Sequence, residues 1–213
     1  MEQRIEELLT ELDNSIDPQI QFGKKLVETY GLYPFDMFCT ATINRSINII
    51  RGYTSLMREN NFIAAAPLVR IHLDSLLRFY STFLVEENID QYALRIIGGE
   101  QINKIKDRNG NKMNDGYLCK TYSGIPGNSW VKQVYDAGSS FIHLSNGATQ
   151  SATSIKDETE RIITMTIGKH DSFISNDQKF GSAFFMLKIT SDLNELMQKW
   201  LTQKKTYVRA RNK

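Results

Sequence analysis

Most of this chain places its apolar residues three and four positions apart, which is the spacing of an amphipathic α-helix. The spacing is regular over residues 2–13 and predicts a first helix there. The apolar face of that helix consists of Ile5, Leu8, Leu9 and Leu12. The pair Asp17-Pro18 supplies an N-cap and a first helical residue for a second helix, which Gly31 ends. Pro34 is placed to begin a third helix.

The fourth predicted helix, from about residue 61 to 86, is the most apolar segment of the chain. Pro67 falls in its first turns, where proline is tolerated or produces a kink. Because the helix is apolar on almost all sides, we expect it at the centre of a bundle. Its apolar run is interrupted by Arg70, His72 and Asp74 well short of a membrane span, so we expect no membrane association.

Three further helices follow the same pattern. A short helix covers residues 88–97 and ends at a pair of glycines, and another spans residues 128–144. A long last helix begins at the capping pair Asn176-Asp177 and reaches at least Trp200.

Two segments carry β signals. Asn109-Gly110 favours a two-residue type I′ turn, because both residues tolerate positive φ, and this predicts a hairpin near residues 104–115. A calcium loop is the alternative, but the positions for its glycine and glutamate hold Lys112 and Leu118. Residues 161–167 contain β-branched side chains in partial alternation and predict a short strand. We therefore predict an all-α multi-helix bundle with a minor β-element, formed by residues 1–213 as a single domain.

Composition places the chain among ordinary globular proteins. Of its 213 residues, 41% are hydrophobic and 23% are charged. Its two cysteines, Cys39 and Cys119, fit neither a disulfide framework nor a zinc site. The first twelve residues are charged throughout and do not resemble a signal peptide, so we expect a cytoplasmic location.

Basic residues are concentrated in the last fifteen positions. The net charge of the chain is only +2, yet residues 199–213 hold six basic side chains and no acidic one. Together with Trp200 and Tyr207, they are of the types that bind phosphate backbones and stack on bases. The candidate polyanion-binding residues are Lys204, Lys205, Arg209 and Arg211. The alternative is that the tail is an ordered structural element of the fold.

The fourth helix carries one polar stripe. Arg70, Asp74, Arg78 and Ser81 fall within about 80° of one another on a helical wheel. Asp74 lies four residues from each arginine, so one carboxylate can bridge two guanidinium groups. The stripe is either the exposed face of the helix or a polar cluster in a cleft that binds an anion.

The predicted helix over residues 128–144 raises the question of a catalytic histidine. His143 lies on the polar face, but Asp136 is seven residues away, about 10 Å along the axis, so these residues cannot form a triad with Ser139 alone. The small residues at 137–140 favour close approach of another helix. We therefore favour a structural histidine that hydrogen-bonds across the bundle, for example to Asp74, over a catalytic one.

The two polar patterns resemble a loose group of uncharacterised bacterial all-helical proteins. The resemblance covers two helices, about a fifth of the chain. Its matching residues are Leu68, Arg70 and Asp74 in the first helix, and Tyr135, Ser139, His143 and Ser145 in the second. Some such proteins occur in phage-defence or toxin loci, which implies a role in defence or stress. The helical ribonucleases of such loci have an arginine four to six residues before a histidine, and this chain lacks that spacing.

From these features we predict a bacterial cytoplasmic protein that works by binding and has no catalysis of its own. The alternative is a hydrolase or ribonuclease that uses Arg70, Asp74 and His143 in a cleft. No glycine loop for phosphates and no zinc motif occurs, so we expect no cofactor and no metal. Aromatic residues of the last helix, such as Phe184 and Trp200, predict a homodimer, and the basic tail makes nucleic acid a candidate partner.

Overall fold

The chain folds into a bundle of α-helices with one small antiparallel sheet, as the sequence predicts. The computed structural model describes the backbone of residues 1–143, 145–157, 162–168 and 171–211, and their side chains except those of residues 156, 157, 205 and 208–211. The helices are α1 (Glu2–Asn14), α2 (Ile16–Glu28), α3 (Pro34–Arg58), α4 (Phe62–Tyr80), α5 (Ile89–Ile97), α6 (Asp115–Ser123), α7 (Trp130–Ile142), α8 (Asn146–Gln150) and α9 (Asn176–Arg211). The strands are β1 (Thr153–Asp157) and β2 (Ile162–Met165).

Helix ends follow the capping signals in most places. Pro34 is the first residue of α3, and Gly31 adopts a φ of 84° in the connection before it. The Asn88 side chain accepts the N–H of the second residue of α5. The N-cap predicted at Asp17 is wrong, because α2 already begins at Ile16 and Asp17 lies in its first turn. A carboxylate in a first turn is still favourable, since it faces the positive end of the helix dipole.

One helix boundary differs from the prediction, and one helix was not predicted. α4 ends at Tyr80 and continues only as a 3₁₀ turn, Ser81–Phe83. The hydroxyl groups of Ser81 and Thr82 donate to carbonyl oxygens three residues back, at 2.5 and 2.8 Å, and such bonds compete with the helical pattern. α6 was missed, although its N-cap Asn114 accepts the N–H of Tyr117 at 2.9 Å.

α4 is the central helix. It packs against α3, α6, α7 and α9, and its residues Leu73, Leu76 and Leu77 are fully buried. α7 lies especially close, because Gly138 has no side chain at the crossing. A Cβ atom on Gly138 would lie 2.6 Å from the Cβ of Arg70, which is too short for any contact. The small residues predicted to allow close helix approach therefore do so at this glycine.

The two β predictions have different outcomes. The segment near residues 104–115 reverses direction but forms a single bridge, between Lys106 and Lys112. Gly110 has positive φ and Asn109 does not, so the type I′ turn is wrong. The predicted second strand exists as β2, and Arg161 at its start lies outside the described residues. The sequence pattern predicts no strand at its partner β1.

A buried ion pair joins the start of α3 to the last part of α9. Asp36, near the start of α3, and Lys204, in the last part of α9, are both completely inaccessible to solvent, and their charged groups lie 2.7 Å apart. The ammonium group also donates to the backbone oxygens of Leu26 and Gly31, each at 2.7 Å. All three ammonium hydrogens therefore have acceptors, which a buried lysine requires.

The carboxylate of this pair is equally well satisfied. Asp36 accepts the backbone N–H of Tyr33 at 2.8 Å and the indole N–H of Trp200 at 2.9 Å. The Trp200 ring packs edge-on against Phe35, with 4.9 Å between centroids. Further along α9, the hydroxyl of Tyr207 donates to Asp90 in α5 at 2.8 Å. The C-terminal part of α9 is thus built into the fold, in agreement with the structural alternative for the tail.

Breaking this ion pair should destabilise the protein strongly. Lys204→Met removes the countercharge of a buried carboxylate and the ammonium donor of two backbone carbonyl groups, those of Leu26 and Gly31. We expect the free energy of unfolding to fall by about 3–5 kcal/mol, measured by urea denaturation. Lys199→Met is the matched control, because Lys199 pairs with Glu195 on the surface of the same helix and should contribute at most about 1 kcal/mol. Equal losses in the two variants would contradict the assignment.

Candidate functional site

Arg70 is a charged residue held almost completely inside the bundle. Its side chain packs under Gly138, and its guanidinium group lies over the ring of Tyr135, 4.1 Å from the centroid. The nearest carboxylate is that of Asp115, at 3.6 Å from Nη2. The Nε atom is buried and has no hydrogen-bond partner in the described part of the chain. The cation–π contact with Tyr135 is therefore a main favourable interaction of this guanidinium group.

The carboxylate that connects the two arginines is Asp115, in the first turn of α6. It forms ion pairs with both Arg70 and Arg78. Asp74 pairs with Arg78 at 3.2 Å and makes no ion pair with Arg70, so the predicted bridging role of Asp74 is wrong. The cluster joins α4 to α6 and contains two positive and two negative groups. Because its charges balance, it does not form an open anion site.

His143 does not join this cluster. It caps the end of α7 with its side chain exposed, and neither a hydrogen bond nor an ion pair links it to Arg70 or Asp74 within the described residues. The hydroxyl of Ser139 donates to the backbone oxygen of Tyr135 at 2.7 Å. Burial raises the pKa of the nearby Cys119 thiol and so disfavours a thiolate. The geometry therefore does not bring the three candidate catalytic residues together.

His72 is the histidine with a defined structural position. It is fully buried between α4 and α9, and its Nε2 lies 3.0 Å from the hydroxyl oxygen of Thr190. Thr190 already donates its hydroxyl hydrogen to the Met186 carbonyl, so Nε2–H must be the donor of the His72–Thr190 bond. Burial, and to a smaller extent the charge of Arg45, lowers the pKa of His72 to about 3. His72 is therefore an uncharged, structural histidine.

One of the four candidate polyanion-binding residues is enclosed by the fold. Lys204 is unavailable to an external polyanion, because its ammonium group is enclosed with Asp36, and the prediction for this residue is wrong. The side chains of Lys205, Arg209 and Arg211 lie outside the described residues, and their role stays a prediction. The residues around Lys204 in the sequence do not indicate that it is buried, since the next residue is also a lysine.

The β1–β2 hairpin presents an apolar face to solvent. Ile155 lies opposite Ile163, and Thr153 lies opposite Met165, so these four side chains share one face. Ile155 is 64% exposed, Ile163 57% and Met165 72%. Ile167 follows β2 and is 97% exposed. Sequence reasoning missed this surface, because Ile155 stands alone among polar residues and gave no periodic signal.

The aromatic seam predicted to form a dimer along α9 is mostly used inside the fold. Phe185 stacks on Trp130 of α7, with 5.9 Å between centroids, and Trp200 is buried against Phe35. Phe184 is the exposed ring of the seam, at 47%. A dimer, if formed, therefore needs another surface.

Comparison with known proteins leaves the family of the chain open. No family model, no curated protein and no solved structure matches it. In the described helices, none has the length and apolar character needed to cross a membrane. No cluster of three or more potential metal-ligating side chains occurs in the part of the chain that the structure describes.

The buried His72 should make stability depend on pH. In the unfolded chain its pKa is near 6.5 and in the folded protein about 3, so between these values the unfolded state binds one more proton. The stabilisation is complete above pH 6.5 and is lost as pH falls toward 3, by about 1.4 kcal/mol per pH unit. The free energy of unfolding of His72→Met, measured by urea denaturation between pH 6.5 and 4, should therefore change less steeply with pH than that of the wild type.

The control for this measurement is His143→Gln, which leaves His72 in place. It should keep the pH dependence of the wild type. An unchanged slope in His72→Met would show that His72 is protonated in the folded protein and that the assignment is incorrect.

Proposed function

We propose that this protein acts by binding, without catalysis of its own, and that its hairpin is held by a second copy of the chain. The observation that carries the proposal is the exposed apolar face of Ile155, Ile163 and Met165. Large apolar side chains grouped on one exposed face are typical of interaction surfaces.

The architecture of the hairpin adds a physical reason for a partner. β1 and β2 form a two-stranded sheet, and such a sheet is at best marginally stable in water without further strands or a covering element. Its outer edges also present unpaired backbone groups that can accept another strand. A partner that covers the apolar face or extends the sheet would stabilise the hairpin.

A second copy fits the chemistry of this face. The four residues that form it are uncharged, so the same face on another copy is complementary to it. Two copies related by a twofold axis form a closed dimer, which is the commonest symmetric assembly. A standard interface covers about 800 Å² on each partner, so the three apolar side chains would form its centre and neighbouring residues its rim.

The three candidate catalytic residues lie apart from one another, which favours a binding role over catalysis. Arg70 is buried against Tyr135, Asp74 is paired with Arg78, and His143 is exposed at the end of α7. An enzyme needs its acid, base and stabilising groups within reach of one reacting atom. The hydrolase or ribonuclease alternative therefore lacks a geometric argument of its own.

For the cellular setting we propose a bacterial cytoplasmic defence or stress system. Support comes from the resemblance of the Arg70 and His143 helices to bacterial proteins of such loci. Purification from the native host, with proteins and RNA identified in parallel, tests this setting.

The dimer proposal is tested by a charge on the hairpin face. Ile163→Asp places carboxylates against each other at the centre of the interface, and it should convert a dimer at tens of micromolar into a monomer. Light scattering coupled to size-exclusion chromatography measures the mass, and circular dichroism checks that the helices are retained.

Thr164→Asp is the matched control, because it adds the same charge one residue away on the opposite face of β2. It should remain dimeric. A monomeric wild type at tens of micromolar, or equal behaviour of the two variants, would rule out the hairpin as a homodimer interface.

A further inference from the structure

A cleft opens between α7 and α9 above the surface of α4. Its volume is about 310 Å³. Phe62, Ala66 and Val69 of α4 form the floor, and the two other helices form the walls. This volume is at the lower end of the range for small-molecule sites and equals the space of about ten water molecules.

Small residues keep this space open. Gly181 in α9 and Ala137 in α7 face the cleft where larger side chains would fill it. A Cβ atom on Gly181 would meet no atom within 4 Å, so nothing in the packing requires glycine there. Because glycine inside a helix is less stable than alanine, this position sacrifices helix stability without a steric reason. The missing side chain at Gly181 leaves space in the cleft for a bound molecule.

Three aromatic rings, one on the floor and one on each wall, line the cleft. Phe62 and Phe141 meet edge to face with 5.7 Å between centroids, and Phe185 lies on the opposite wall, where Trp130 stacks behind it. These rings are fixed by their neighbours, so the apolar surface is formed before any ligand arrives. Water on such a surface is displaced favourably by an apolar molecule.

Among the described residues, four polar side chains also line the cleft. Ser182 accepts a hydrogen bond from the buried hydroxyl of Tyr53 at 2.8 Å, which fixes its oxygen and leaves its own hydroxyl hydrogen for an acceptor. Gln133 and Gln178 contribute amide groups, and Asp177 is the ionisable side chain among the described residues that line the cleft. A ligand with an acceptor group suits Ser182, and a negative charge is disfavoured beside Asp177.

The geometry points to a binding site for a small apolar molecule, aromatic or short-chain, that is neutral or carries one positive charge beside Asp177. A helix, with a diameter of about 10–12 Å, is too large for this space. The site is separate from the hairpin face, since none of its lining residues belongs to β1 or β2. The inference therefore stands independently of the proposed dimer.

The test is a substitution that fills the cleft with a side chain of the protein itself. Isothermal titration calorimetry of the wild type should detect saturable binding of indole and hexylamine, and weaker binding of hexanoate. Gly181→Leu places a side chain in the open space and should reduce the affinity for indole by at least about tenfold, because the ligand and the new side chain compete for one volume. Its helical circular dichroism should be unchanged and its melting temperature equal or higher.

Two control variants distinguish the loss of cleft volume from other effects of a substitution in α9. Gly181→Ala adds one methyl group and should raise the melting temperature while keeping most of the indole affinity. Ser191→Leu adds the same side chain as the test variant on an exposed position of α9 and should bind like the wild type. Absence of binding of all three probes to the wild type, or full affinity in Gly181→Leu, would overturn the inference and make the cleft a packing defect.

Discussion

The ammonium group of Lys204 and the carboxylate of Asp36 meet where water does not reach, and several elements depend on that contact. Through backbone oxygens the lysine holds the end of α2 and the turn that follows it, and through Trp200 the aspartate holds α9. Each charge would be prohibitively costly here without the other. The positions of α2, α3 and α9 are therefore set by electrostatics at one end of the bundle and by apolar packing along α4.

Local signals in the sequence were sufficient for most of the helices, because their caps and apolar spacing act within a few residues. Pro34 and the pair Asn176-Asp177 show this clearly, since each stands at the start of the helix it predicts. The burial of Lys204 could not be predicted in the same way. A lysine near other basic residues looks exposed, and its partners lie at the opposite end of the chain.

The candidate site shows the same limit of prediction from local sequence patterns. The spacing of Arg70, Asp74 and Arg78 correctly identifies a charged stripe, but the pairing within it depends on Asp115, which a different helix supplies. The hairpin was half predicted, because β2 has β-branched alternation and β1 does not. Pairing between strands and between helices is a property of three-dimensional neighbours, and a single sequence contains it only indirectly.

The distance along the chain between the groups that Lys204 joins also has a consequence for biosynthesis. Leu26 and Lys204 are 178 residues apart, so at about 5–20 residues per second the ribosome needs roughly 10–35 seconds to add the second after the first. During that interval the carboxylate of Asp36 lacks Lys204, its countercharge in the folded protein. The native packing around Asp36 can therefore be completed only after the last helix has been synthesised, and until then the first helices are accessible to chaperones.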